Sequence, residues 1–205
     1  MCAAAEAQPD GSFEVRFQRK AAGTVRWDLL GEHNRQNALA ALAAARNVGV
    51  RIEQGIAALA GFKNVKRRME VRGVVNGVTV YDDFAHHPTA IELTIAGLRA
   101  KVGKARILAV LEPRSNTMKL GVMKDSLAPS LSNADLVFCY TDGIGWDAQA
   151  ALSNLGAKTV CFDDLAALVE AIVAAARAGD QVLVMSNGGF GGVHGKLLDA
   201  LRAQS

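Results

Sequence analysis

Apolar and polar residues alternate over 12–19 (Ser-Phe-Glu-Val-Arg-Phe-Gln-Arg) and again over 24–30 (Thr-Val-Arg-Trp-Asp-Leu-Leu). Lys20-Ala-Ala-Gly23 lies between the two runs. Period-two alternation about a short, Gly-ended turn predicts a β-hairpin. Gly31-Glu-His-Asn then opens an Ala/Leu-rich run to Val48, which predicts a helix with Asn34 as N-cap. A second helix is predicted over 51–60, closed by Gly61. A hairpin and two helices bury too little apolar surface to stand alone. Residues 1–64 therefore read as the tail of a domain that begins upstream.

Beyond this point strands and helices alternate. Glu70–Val75 and Val78–Asp82 flank Asn76-Gly77, a strong hairpin signal. Pro88 suits the first turn of a helix running to about Val102. Arg106–Leu111 is almost unbroken apolar sequence, as a strand buried on both faces would be. A helix is expected over 118–131, a strand over 135–140, a short helix over 147–154 and a strand over 158–162. A helix over 163–178 and a buried strand over 181–186 follow, and Gly188-Gly-Phe-Gly-Gly192 leads into a closing helix. Buried strands separated by helices imply right-handed crossovers. Residues 65–205 are thus expected to form a Rossmann-like three-layer α/β domain, its sheet mostly parallel, with an antiparallel hairpin at its start.

Composition agrees with a folded chain: 50% of the 205 residues are hydrophobic and 21% charged. Aromatics are only 5%, so the core is expected to be built of small aliphatic residues. The net charge of +3 is too small for a nucleic-acid-binding arm. Lys63, Lys66, Arg67, Arg68 and Arg72 do cluster, as a solvated face or an anion site, but no aromatic residue interleaves with them. Three scattered cysteines, Cys2, Cys139 and Cys161, argue against a disulfide framework and fit a reducing cytoplasm. No Cys/His spacing suits zinc. No run is long and apolar enough for a membrane span, and the start does not read as a signal peptide.

In an open parallel sheet, ligands bind beyond the carboxyl ends of the strands. Four polar or Gly-rich segments are expected there: Asp82-Asp83-Phe-Ala-His86-His87, Glu112-Pro-Arg114-Ser115-Asn116, Thr141-Asp142-Gly and Ser186-Asn187-Gly-Gly. Caps and turns account for Asp142 and Pro88, but less well for Arg114 or for two His beside two Asp. The acid–imidazole cluster can orient ribose hydroxyls, a metal-bound water or a phosphate, or be an exposed polar loop. The Gly-rich segment lacks the G-x-G-x-x-G register, since His194 takes the third position. It reads as an anion-binding helix start or a plain turn. Cys139 and Cys161 are expected to be inert core residues.

These segments resemble the Mur ligases, which add amino acids to UDP-N-acetylmuramic acid. Gly31-Glu-His-Asn34-Arg-Gln-Asn37-Ala-Leu-Ala-Ala resembles their H-N-x-x-N-A-L-A-A stretch, and Arg67-Arg68-Met-Glu their hinge into the third domain. Asp82-Asp83-Phe-Ala-His86-His87-Pro-Thr resembles their D-D-Y-G-H-H-P-T, departing at Phe84-Ala85. Glu112-Pro-Arg-Ser-Asn-Thr-Met-Lys119 and Ser186-Asn-Gly-Gly-Phe-Gly-Gly192 are similar to the cell-wall-recycling branch. That branch joins the tripeptide L-Ala-γ-D-Glu-meso-diaminopimelate to UDP-N-acetylmuramate through an acyl phosphate, using ATP and Mg²⁺.

The resemblance implies that Asn34 and Asn37 meet the adenine region, Asp83 the ribose and Arg68 the ATP phosphates or ribose. It places His86 near the reacting phosphate, making His86 and Arg68 the expected catalytic pair. Arg114, Ser115 and Asn116, with Asn187 and the amides of Gly188 and Gly189, are expected to hold the tripeptide. No residue of this chain is expected to ligate metal. The sequence contains no G-x-x-x-x-G-K-[ST] phosphate loop, so the resemblance implies N-terminal domains that supply it. Two other readings remain: a different Mur-type or folylpolyglutamate-type ligase, or a non-catalytic peptide- or nucleotide-binding module.

Overall fold

The computed structural model describes residues 3–8, 11–27, 29 and 31–204. Cys2 and positions 28 and 30 of the expected second strand lie outside the described residues. The chain divides into two compact units, residues 1–65 and 66–205.

In the N-terminal unit, β1 (Ala3–Ala7), β2 (Phe13–Phe17) and β3 (Lys20–Val25) form an antiparallel sheet in the order β1-β2-β3. The hairpin forms, but its turn is Gln18-Arg19 and not 20–23. Both turn residues are left-handed, at φ 50° and 66°, and Phe17 pairs with Lys20. Two left-handed residues give the turn whose twist matches the flanking strands. Gly23 serves a different purpose: it sits in β3 at φ 146°, where the register shifts and admits a bulge.

Helix α1 (Glu32–Asn47) is preceded by Gly31 as N-cap, and the Asn34 amide donates to the Gly31 carbonyl at 3.2 Å. Asn34 therefore stands inside the first turn, correcting its expected capping role. Helix α2 (Ile52–Ala60) ends at Gly61 as expected. Phe13, Val15, Val25, Ala38, Leu42 and Ile56 make this unit's small core.

The C-terminal unit opens with β4 (Glu70–Val75) antiparallel to β5 (Val78–Asp83), joined by left-handed Asn76-Gly77. Then come α3 (Pro88–Val102), β6 (Ile107–Leu111), α4 (Asn116–Lys119), α5 (Lys124–Ser130) and β7 (Leu136–Tyr140). The chain finishes with α6 (Ala148–Ala151), β8 (Thr159–Phe162), α7 (Leu165–Ala175), β9 (Gln181–Met185) and α8 (Val193–Ala203). The six-stranded sheet runs β4-β5-β9-β6-β7-β8, parallel from β5 onward, which is the expected three-layer α/β fold.

Strand alternation divides the core between the two faces. Ile107, Ala109 and Leu111 meet Ile91, Ile95 and Leu98 of α3 and Leu127 of α5. Leu108 and Val110 meet Leu168 and Ile172 of α7 and Leu197 and Leu201 of α8. All five side chains of β6 are fully buried, so each contributes about 1.5–3 kcal/mol of transfer energy if aliphatic and large.

One expected element is corrected. The helix over 118–131 is two helices, broken at Gly121 (φ 70°), where a Cβ would fall 3.0 Å from the Trp146 ring.

The last strand, β9, inserts between β5 and β6. The chain leaving β5 and β6 turns to the α3/α5 face, whereas that leaving β9 turns to the α7/α8 face. Diverging connections leave a crevice at the carboxyl ends of these three strands.

Candidate functional site

The register sets the rim of the crevice. Met185 lies level with Asp83 on one side and Leu111 on the other, and Leu111 level with Cys139. The loops after β5, β6 and β9 therefore leave one edge together. They are tied at their roots: the Ser186 amide donates to the Asp83 carbonyl (3.1 Å), and the Glu112 amide to the Met185 carbonyl (3.1 Å). The Ser186 hydroxyl donates to Glu112 Oε2 and accepts from the Gly188 amide (2.9 Å). Arg114 lies across Gly188 so closely that a Cβ there would come within 2.6 Å of its Cδ and Nη1. Beside it, Asn187 Oδ1 is buried with no hydrogen-bond partner.

A cavity of about 180 Å³ opens here, lined by Glu112, Pro113, Arg114, Lys119, Tyr140, Asp142 and Gly143. Two cations and two carboxylates thus face one small space. The Tyr140 hydroxyl lies 3.5 Å from Asp142 Oδ2, and burial, followed by the Asp142 charge, raises the phenol's pKa. Ser115 caps α4, its hydroxyl accepting from the Met118 amide at 3.4 Å, so one of its lone pairs serves the fold. Asn116 is exposed in the first turn, and Gly189 is exposed on the facing loop.

At the β5 end, Asp83 is buried and committed. Its Oδ1 accepts from the Ala85 amide (2.8 Å) and from the Thr94 hydroxyl (3.4 Å), and its Oδ2 from the Met69 amide (2.9 Å). Burial raises its pKa, and the two amides, Arg68 and Thr94 pull it back. The guanidinium carbons of Arg67 and Arg68 lie 5.2 and 5.8 Å from the centre of the Phe84 ring. The basic cluster therefore has an aromatic neighbour after all, brought to it by the β4–β5 pairing and not by adjacency in sequence. His86 packs edge-on against Phe84, and its Nδ1 lies 2.8 Å from the Phe84 carbonyl. A carbonyl only accepts, so Nδ1 is the donor in this contact. His87 is exposed at the N-cap of α3.

Residues 67–188 match the family described as Mur ligase, glutamate ligase domain. The chain belongs to the Mur ligase family. It is 53% identical over 191 residues to the UDP-N-acetylmuramate--L-alanyl-gamma-D-glutamyl-meso-2,6-diaminoheptandioate ligase of Escherichia coli, covering 92% of this chain and 42% of that protein. Among solved structures, a murein peptide ligase from Psychrobacter arcticus is 42% identical with a TM-score of 0.74, covering 97% of this chain and 44% of that one. A crystallised domain from Haemophilus ducreyi is 54% identical, with a TM-score of 0.58, and covers 65% of this chain and 99% of its own. The chain thus spans less than half the length of the full relatives it matches.

For this Mur ligase chain the sheet edge gathers Asp83, His86, Arg114, Asn187 and Gly188 from three loops. Asn34 and Asn37 stand on α1 of the N-terminal unit, the first half-buried and the second exposed. Arg68 is exposed at the start of the C-terminal unit. Sequence reading did not single out Lys119 or Tyr140, and it read Asp142 as a turn residue. Their shared signal was position: Tyr140 ends β7, Asp142 follows it, and Lys119 lies on the short helix after β6. Cys139 and Cys161 are cross-strand partners on β7 and β8; Cys139 is buried, Cys161 only partly. Among the described residues no group of three or more His, Cys, Asp or Glu is placed to hold a metal ion, and no helix is long and apolar enough to cross a membrane.

Proposed function

We propose that this chain is the C-terminal portion of a cytoplasmic, ATP-dependent ligase that joins L-Ala-γ-D-Glu-meso-diaminopimelate to UDP-N-acetylmuramate in peptidoglycan recycling. The observation that carries the reading is the cavity between Arg114, Lys119, Glu112 and Asp142. The tripeptide's attacking amine is at its alanine end. Its far end carries carboxylates and a second ammonium, and this is the end a cavity lined by both signs of charge suits. An Arg fork pairs with a carboxylate through two parallel bonds, and Lys119 adds a point charge for a second. Glu112 and Asp142 receive the ammonium. A partner with charge of only one sign would leave either the acids or the bases desolvated and unpaired, which is how such a site rejects it.

In this reading Asn187 offers its unpaired Oδ1 and Gly189 its amide to the peptide backbone, while Gly188, its amide already donated to the Ser186 hydroxyl, shapes the wall beneath Arg114, with Ser115 and Asn116 at the opposite lip. ATP, bound chiefly by the N-terminal domains, supplies the activation that makes a carboxylate electrophilic. Arg68 stabilises phosphate charge, and Asn34 and Asn37 meet the adenine. His86 presents Nε2 towards the reacting group. Asp83 helps orient the ribose mainly by holding Met69 and Ala85 in place, since its oxygens already accept from their amides. In this reading Mg²⁺ accompanies the ATP phosphates, as it does at sites that hold the ion through one or two carboxylates and substrate phosphates. The chain alone turns nothing over, because its sequence has no phosphate loop.

Isothermal calorimetry tests this. The tripeptide binds the chain, and free L-alanine and L-glutamate do not. Arg114→Ala loses about 1.5–3 kcal/mol of tripeptide affinity, the worth of hydrogen bonds to a charged group. Equal binding of L-alanine and tripeptide, or an unchanged affinity in the variant, overturns the assignment.

A further inference from the structure

Arg67 is the second residue of the C-terminal unit, and its side chain bridges the end of β5 and the loop after β9. Its Nε donates to Asp82 Oδ1 at 3.2 Å, and its Nη2 donates to the Ser186 carbonyl at 2.5 Å. Its own carbonyl accepts from the Phe84 amide at 2.9 Å, and its amide donates to Glu70 Oε2 at 2.9 Å. Its backbone is left-handed, at φ 59°, which a non-glycine side chain adopts only when neighbours fix it. Asp82 is 4% exposed and also faces Arg72 at 3.9 Å and His194 Nε2 at 3.4 Å. The Asp82–His194 contact is within ion-pair distance yet makes no hydrogen bond, so Arg67 is the residue that hydrogen-bonds the Asp82 carboxylate among the described contacts.

We propose that Arg67 is a positioning residue that couples the two halves of the site, fixing the peptide-facing loop 186–189 to β5, which ends at Asp83 and leads into Phe84 and His86. The physical chain is short. Arg67 holds the Ser186 carbonyl, the Ser186 hydroxyl holds Glu112 and the Gly188 amide, and Gly188 is the floor on which Arg114 lies. A planar guanidinium can reach two acceptors at once with fixed geometry, which an ammonium on a flexible stem cannot. Releasing it frees the Ser186 peptide to rotate, and the cavity wall with it. The fixing of the loop is independent of what the cavity binds; its consequence for affinity rests on the tripeptide reading above.

The test uses the 205-residue chain carrying Arg67→Gln, with Arg67→Lys as the conservative companion. Without ligand, the backbone amide resonances of Ser186, Asn187 and Gly188 shift or broaden in Arg67→Gln, while those of Val137, Phe138 and Cys139 on β7 do not. The His194 imidazole titrates at higher pH in this variant, because a neighbouring cation is gone and Asp82 is not. Tripeptide affinity falls by about ten-fold or more, as for loss of a hydrogen bond to a charged group, and Arg67→Lys recovers part of it. If the 186–188 amides stay in place in both variants, Arg67 does not fix the loop and the proposal falls. If they move but tripeptide binds as well as before, the coupling to the cavity falls. Should the unsubstituted chain bind no tripeptide, the functional reading fails, and the amide shifts alone decide the role of Arg67. If Arg67→Gln does not fold, the same resonances in Arg67→Lys decide it.

Discussion

His194 shows how one side chain can carry both a structural load and a pH dependence. It lies in the first turn of α8 with its ring mostly buried, facing Asp82 from β5, Glu70 and Arg72 from β4, and Arg67. Burial lowers its pKa from 6.5, Asp82 and Glu70 oppose that, and Arg72 and Arg67 add to it. A base with a depressed folded-state pKa takes its proton more readily when unfolded. Stability is therefore intact above pH 6.5 or so and is lost as pH falls below it towards the folded value. Urea denaturation at pH 7.5 and pH 5.5 measures this: the wild type loses stability on acidification, and His194→Gln loses less. An equal loss in both places the acid sensitivity elsewhere. Neither His194 nor Arg67 was readable as a partner of Asp82. Asp82 is 112 residues from His194 in the chain, and only the pairing of β5 with β9 brings α8 beside it. Arg114, Asn187 and Asp83 were legible because strand ends can be counted from sequence. What their atoms do was not, since Asp83 turns inward to two amides while Asn187 keeps an oxygen unpaired.

Local chemistry identified most strands and helices correctly. Asn76-Gly77 made its turn, Pro88 began α3, and the apolar runs became strands buried on both faces. The failures share a cause, which is that a residue's local preference was overruled by its neighbours in space. Ala3–Ala7 carries no strand signal and is a strand because β2 offers it an edge. Asn34 is a good cap by type, but Gly31 already holds that place. Gly121 looks like a tolerable helix residue until Trp146 is seen against it, its indole Nε1 donating to the Met118 carbonyl at 2.7 Å. Gly121→Ala meets both a left-handed backbone and the indole ring. It is expected to cost about 1–3 kcal/mol, the range for strained backbone or overpacking. Thermal unfolding followed by tryptophan fluorescence reads the cost, and a shifted Trp146 emission in the folded variant places the strain at the ring. A variant as stable as wild type shows that the α4–α5 break does not depend on glycine.

The insertion of β9 between β5 and β6 is the feature of the fold that sequence could not supply, because alternation gives the strands and not their order. The C-terminal unit also has a core of its own. Both of its core clusters draw only on residues from Met69 to Leu201, and the last strand locks the first to the rest. The cavity residues, Glu112 to Gly143, lie within that unit as well. Residues 61–66, by contrast, are all exposed and belong to no helix or strand, with Lys63 and Lys66 among them. Exposed backbone without ladder or helix bonds is where proteases cut first. Brief trypsin treatment is therefore expected to cleave after Lys63 or Lys66 and release a folded C-terminal unit. If the cavity suffices for the tripeptide, the released unit binds it with an affinity within about three-fold of the intact chain's, a difference of under 1 kcal/mol. Rapid digestion of the C-terminal unit shows that its fold depends on residues 1–65. A stable unit that no longer binds shows that the cavity alone does not suffice for the tripeptide.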